Sequence, residues 1–388
     1  MISEAAKQDL RDRNPVTDLA GRWVSLRPGK AGGLVGPCPL HSPDPNARDS
    51  TSFECWPDRW VCATCQDGGD VIKLVMLRES MDFRGAVAWL GGAQAIDPAE
   101  AARREATAAQ KRAKAESASA YFREQERERL HTYWRAAGPV AGTPIEAYLG
   151  LRGLVAPPGA RLRAHAHMPY FIQRSRAGGG RAPWQRIHTG PAMLAAIIGA
   201  DGRFSGLHIT WVDLLQPKGK LVVADPETGE VQPSKKVRGT KNGGHIELVR
   251  CAKPHRLFIG EGIETVLSAY IAMLALGRSL DGTAFWASAD LGNLCGAAAK
   301  DNRVPHPTAK DRSGRTMRVP GAEPDFASDA VTIPDSVVDL RLLGDGDSDP
   351  FATNLAMERA RARHARDGRR ISISWPDSGK DFNSMLVA

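Results

Sequence analysis

The stretch Val337-Val338-Asp339-Leu340-Arg341-Leu342-Leu343 runs straight into Gly344-Asp345-Gly346-Asp347-Ser348-Asp349. The apolar run predicts a strand. Three carboxylates at alternate positions just past its end repel one another. A divalent cation relieves that repulsion, and Mg²⁺ favours one or two carboxylates plus substrate phosphates. The same residues also read as an acidic surface turn, and this stretch alone leaves both readings open.

Upstream, Arg256-Leu257-Phe258-Ile259-Gly260 predicts a short strand that delivers Glu261 at its carboxyl end. Gly262 permits a tight bend, and Ile263 to Leu276 reads as an apolar helix. Ala284 to Ala287 predicts a second strand, Ala352 to Ala365 a helix, and Ile371 to Trp375 a last strand. Such alternation implies a mainly parallel α/β sheet. Open sheets of that kind carry their chemistry at the carboxyl ends of the strands. Glu261 and the acidic run are therefore expected to meet at one edge. Asn302 to Asp325 interrupts the pattern with Pro, Gly, Arg303, Lys310, Arg312, Arg315 and Arg318. It reads as an exposed insertion, either touching nucleic acid or forming a plain disordered loop.

With 388 residues the chain is long enough for two or three domains. Its 42% hydrophobic and 25% charged residues describe an ordinary globular protein. No apolar run approaches the ~18–20 residues of a membrane span. The charged opening MISEAAKQDLRDRN is unlike a secretory signal, so a cytoplasmic location is expected. A net charge of +8 leans towards polyanionic partners. Cys38, Cys55, Cys62 and Cys65 cluster near the N-terminus, away from Cys251 and Cys295, which suggests metal rather than disulfides.

Cys38-Pro39-Leu40-His41 and Cys62-Ala63-Thr64-Cys65 form a C-x2-H, C-x2-C pattern. Two close pairs on tight knuckles, joined by a loop, are what a tetrahedral zinc site needs. Between them, Ser52 to Trp56 and Arg59 to Val61 predict a hairpin turning at Pro57-Asp58, with Cys55 a packed strand thiol. Gly68-Gly69-Asp70 opens one helix, and a second from Phe83 to Leu90 closes at Gly91-Gly92. Residues 1–95 are read as this zinc module.

Residues 96–137 read as a helical linker, starting at the cap Asp97-Pro98-Ala99-Glu100. A continuous helix of ~40 residues would extend ~60 Å. Its first part lacks a wide apolar stripe, whereas Tyr121, Phe122, Leu130, Tyr133 and Trp134 are expected to dock on a domain. Residues 138–255 form a mixed α+β middle region, preceding the catalytic segment 256–388. Within it, Ala192 to Ile198, the turn Asp201-Gly202 and Gly206 to Trp211 predict a hairpin. His208 and Thr210 share one face of its second strand. The basic run containing Lys235, Lys236, Arg238 and Lys241 is a candidate contact for nucleic-acid or nucleoside-triphosphate phosphates, or else a solvated loop.

The order CPLH, WVCATC, GGDVIKLV and DFRGAVAWL resembles the zinc-binding domain of bacterial-type DNA primases. Glu261-Gly262 with Asp345-x-Asp347, together with GEGIETVLSA and PDSGKDFNSML, resembles the Toprim domain of primases from phages and mobile elements. By this resemblance, zinc is held by Cys38, His41, Cys62 and Cys65. Asp345 and Asp347 hold Mg²⁺ (or Mn²⁺), Glu261 helps bind metal or moves a proton, and Asp349 assists. Pro350 departs from the family, which often has a glycine near that place. The resemblance implies RNA primer synthesis on single-stranded DNA from nucleoside triphosphates. A Toprim-type nuclease and a non-catalytic zinc- and DNA-binding protein of a mobile element are the competing readings. No P-loop is present, so a replicative helicase is expected to be a separate protein.

Overall fold

The computed structural model describes residues 3–29, 32–42, 44–47, 50–91, 98–174, 182–346 and 348–386, without the side chains at 98–102, 104 and 105. Gly92, Asp97 and Asp347, singled out above, lie outside the described residues. The chain divides into two compact units, Met1–Glu116 and Ser117–Ala388.

The first unit holds a five-stranded antiparallel meander: Arg27–Pro28, Leu34–Gly36, Phe53–Cys55, Trp60–Cys62 and Asp67–Gly69. The expected hairpin is its centre, with Phe53 opposite Cys62 and Cys55 opposite Trp60. Alternation puts Phe53, Cys55, Trp60 and Cys62 inward, and Phe53 stacks on Trp60 at 5.8 Å. Burial pushes the Cys55 thiol up to about 12, so it packs as a small hydrophobe. The helices Val71–Arg78 and Phe83–Trp89 start at Asp70 and Asp82, whose carboxylates accept from the backbone N–H groups of Lys73 and Gly85.

A helix runs from Pro98 to Ala136, and its last turns belong to the second unit. There Leu130 is fully buried, with Tyr133 and Trp134 against the same core. Tyr121 and Phe122 do not dock as expected; both remain exposed beside one another. The core they miss lies under an antiparallel sheet ordered Lys235–Gly239, Phe204–Trp211, Gln185–Ile198 and Leu162–Ile172. The basic run at 235–239 is thus a paired strand rather than a loop.

The second sheet of this unit is ordered Ile246–Val249, Thr283–Ala287, Arg256–Gly260, Asp339–Leu343 and Arg370–Ser374. The last four strands are parallel and the first antiparallel, as strand–helix alternation requires. Ile246–Val249 therefore crosses the divide expected at residue 255. So does the core, where Tyr148, Leu149 and Met193 pack with Ile263, Val266 and Phe285. At the amino ends of the parallel strands, Asp339 is buried among Arg256, Arg341 and Arg370. Burial opposes its ionisation, but the three guanidinium partners outweigh that and lower its pKa. This pins one end of the sheet in register.

The insertion is an ordered antiparallel hairpin, Arg303–Lys310 with Thr316–Pro320, and not a disordered loop. Pro350 is accommodated at the first position of the helix Pro350–His364, where no backbone N–H is needed.

Candidate functional site

The two knuckles bring four ligand atoms together, all within 4.8 Å of one another. Cys38 Sγ lies 3.9 Å from Cys65 Sγ, and His41 Nδ1 lies 3.8 Å from Cys62 Sγ and 3.0 Å from Cys65 Sγ. Tetrahedral ligands about 2.3 Å from zinc stand roughly 3.8 Å apart, so the donor set fits that ion. The Leu40 and Cys65 amides point at Cys38 Sγ and Cys62 Sγ, at 3.4 and 3.3 Å. Burial, followed by the neighbouring thiols, pushes Cys65 up to about 12. Cys38 is raised as well, again chiefly by burial. Crowded thiols resist ionising together, and a bound dication reverses that preference.

The acidic site is built by register. Gly260 pairs with Leu343 in adjacent parallel strands, so Glu261 and the Gly344-Asp345 loop leave the same edge side by side. Neighbouring strands are about 4.8 Å apart, within the compass of one shared ion. Ser348 Oγ stands 3.5 Å from Asp345 Oδ2.

Two glycines shape the loop. A Cβ on Gly344 would strike the Trp375 ring, and one on Gly346 would strike Pro376 and the Lys380 carbonyl. The segment Trp375–Asp381 thus lies directly against the acidic loop, following the next strand of the sheet. Trp375, Pro376 and Lys380, which the site residues chosen from sequence omitted, form one wall of that loop.

Asp349, chosen from the sequence as an assisting magnesium ligand, is engaged within the fold. Its carboxylate caps the helix at the Ala352 N–H, at 2.7 Å, and accepts from His306 Nε2 at 3.0 Å. The capping bond, aided by His306, holds its pKa below the usual range. These contacts give it a structural task at the start of that helix.

The cations of the basic run, chosen as phosphate contacts, are also engaged within the fold. Lys235 Nζ donates to Glu264 Oε2 at 2.8 Å, and Lys220 Nζ lies 3.1 Å from Glu264 Oε1. Lys236 Nζ donates to the Phe171 carbonyl at 2.6 Å and sits over the Tyr170 ring. Burial, with the charge of Arg238, brings Lys236 down to about 8. Arg238 pairs with Glu126 at 3.0 Å and covers Trp184, and Lys241 pairs with Asp290. All four cations expected to meet phosphate carry internal contacts.

Glu264, absent from the residues chosen from sequence, lies one turn beyond Glu261 and is buried. Burial pushes its carboxyl up, but Lys235, Lys220 and a 2.6 Å hydrogen bond from Tyr148 Oη hold it well below the usual range. The signal was present: Glu264 shares its helical face with the buried Leu267 and Ser268. Next to this cluster His208 and Thr210 are buried, and His208 Nδ1 and Thr210 Oγ1 have no hydrogen-bond partner among the described residues. Burial first, then Lys235, lowers His208 to about 4, so the ring is neutral near pH 7.

Residues 2–106 match the family described as the CHC2 zinc finger, the zinc ribbon of DnaG. The N-terminal module is a bacterial-primase zinc ribbon. A DNA primase of Streptomyces coelicolor is 32% identical over 97 residues, 24% of this chain and 14% of that protein. Residues 124–248, following the primase zinc ribbon, match a domain of unknown function, DUF7146. Among solved structures, a DnaG primase catalytic domain bound to single-stranded DNA aligns over 69% of this chain and 78% of its own, with 15% identity and a TM-score of 0.38. A DNA primase domain from Pseudomonas aeruginosa aligns over 66% and 73%, with 13% identity and a TM-score of 0.35. Among the described residues no helix is long and apolar enough to cross a membrane.

Proposed function

We propose that this chain is a primase that builds short RNA primers on single-stranded DNA. The reading is carried by the pairing of Gly260 with Leu343, which delivers Glu261 and Asp345 to one sheet edge. The primase-type zinc ribbon in the same chain supports it. Glu261, Asp345 and Asp347 would hold Mg²⁺, which when bound neutralises charge on the reacting phosphate and the pyrophosphate leaving group.

In the transfer, the 3′-hydroxyl of the primer attacks the α-phosphate of a nucleoside triphosphate. One P–O bond forms as the bond to pyrophosphate breaks. Glu261, at a strand end beside the acidic loop, is the residue to orient the hydroxyl or take its proton. Trp375 and Lys380, packed on Gly344 and Gly346, would brace the loop that carries Asp345. The zinc ribbon would engage the template, and a separate replicative helicase would supply it.

Incubating the purified full chain with Mg²⁺, ribonucleoside triphosphates and single-stranded DNA of random sequence tests this. Short oligoribonucleotides are expected from the parent and none from Asp345→Asn. No product from the parent, or equal product from the variant, contradicts the proposal. Loss of labelled DNA without nucleotides identifies a nuclease.

A further inference from the structure

A sheet edge of carboxylates repels a polynucleotide, so a strand held there needs cations nearby. Lys235, Lys236, Arg238 and Lys241 are engaged internally. The inserted hairpin is built differently. Arg303, Lys310, Arg312, Arg315 and Arg318 are all exposed, and none is within 4 Å of a carboxylate among the described residues' ion pairs. Asp311, the acid at its tip, accepts from the Ser313 and Arg315 backbone and from the Ser313 hydroxyl. Strand alternation sorts the faces: His306 and Val319 point inward, while Arg303 and Arg318 stand outward. Each of these two guanidinium groups donates to the other's backbone carbonyl across the pair of strands.

The hairpin is also fixed to the site. His306 Nδ1 accepts from the Thr308 and Ala309 N–H groups, at 3.2 and 2.8 Å. Its Nε2 therefore carries the proton donated to Asp349, four residues beyond Asp345. Buried Arg359, from the helix that Asp349 caps, donates to the Gly321 carbonyl at the hairpin's other foot. Among the hairpin's apolar side chains, Met317 is the large one exposed, at 37%. Protein interfaces favour aromatic and apolar centres, whereas nucleic-acid interfaces are polar and strongly positive.

We propose that the Arg303–Pro320 hairpin is a nucleic-acid arm, whose cations hold the phosphate backbone of single-stranded DNA beside the Glu261–Asp345 edge. Its placement at a catalytic edge rests on the primase reading, but its binding of DNA does not require catalysis.

The test uses the full chain, a fluorescently labelled mixed-sequence single-stranded DNA and a series of salt concentrations, without nucleotides. The variant Arg303→Gln/Arg312→Gln/Arg315→Gln/Arg318→Gln is expected to bind at least about tenfold more weakly at 0.1 M salt. With ~0.7 counterions released per phosphate contact, four lost contacts flatten the log–log salt slope by about 3. Thr316→Lys, which adds a cation to the exposed strand, is expected to tighten binding. Unchanged affinity and slope in both variants overturn the arm, even where Asp345→Asn abolishes primer synthesis. Weakened binding in the quadruple variant of a chain that makes no primers keeps the arm and rejects the primase reading. Binding of an acidic protein, with DNA affinity unchanged, also overturns it.

Discussion

The zinc knuckles and the acidic edge are both collections of metal-type ligands, yet they are assembled in opposite ways. Cys38, His41, Cys62 and Cys65 lie on two short knuckles, and their thiols crowd one another. There the ion completes the fold. Glu261 and Asp345 follow strands that are already paired and packed. There the fold does not wait for an ion. Stability and activity should accordingly separate: one site fails by unfolding, the other by losing chemistry.

The largest effect on stability is expected at the knuckles. Structural zinc contributes on the order of 10 kcal/mol to small domains of this kind. Cys62→Ser, or zinc removal by a chelator, should unfold the first unit and leave the Ser117–Ala388 unit folded. Hydrogen exchange resolved by segment checks this, and protected amides in the first unit after complete zinc loss would break the contrast.

Next comes Glu264, buried between Tyr148, Lys220 and Lys235. Its replacement by Ala strands Lys235 and Lys220 against a buried site and is expected to cost about 3 kcal/mol. Because its folded pKa is depressed, its stabilisation is fully present above the unfolded value near 4.5. That contribution is lost as pH falls below 4.5 towards the folded pKa. Urea titrations from pH 7 to pH 3 should therefore show a shallower acid loss for Glu264→Gln than for the parent. Parallel curves would remove Glu264 from this role.

The smallest stability effect is expected at Asp345. Asp345→Asn removes one of several like charges and should change unfolding free energy by no more than about 0.5 kcal/mol, while primer synthesis disappears. Thermal denaturation alongside the synthesis assay checks both halves. A destabilisation of several kcal/mol would make Asp345 a structural residue.

The knuckles were legible because their ligands are three residues apart and their pairing needs only one loop. The parallel order that sets the strand before Glu261 beside the strand before Asp345 was legible too, since strand–helix alternation fixes it despite the sequence distance. What stayed hidden depends on partners from elsewhere in the fold. Nothing near Lys235 in the chain announces that Glu264 and Tyr148 converge on one another beside it. Nor does the acidic run announce that Asp349 meets His306, 43 residues away. Tyr121 and Phe122 have the composition of docking residues, but the helix turns them away from the core that Leu130 enters. The insertion's Pro and Gly content suggested a loop, yet its strand pairing and the anchors at His306 and Gly321 order it. Charge along a sequence is likewise not charge on a surface, as the different surroundings of the two basic strands show.

The account depends most on a single cation being shared by Glu261 and the loop carrying Asp345. Loading the full chain with Fe²⁺ and generating hydroxyl radicals cuts the backbone next to the bound ion. Fragments ending near residues 261 and 345 should appear together and vanish together, both in excess Mg²⁺ and in Asp345→Asn. Cleavage near one residue without the other, or cuts that survive Asp345→Asn, would contradict it.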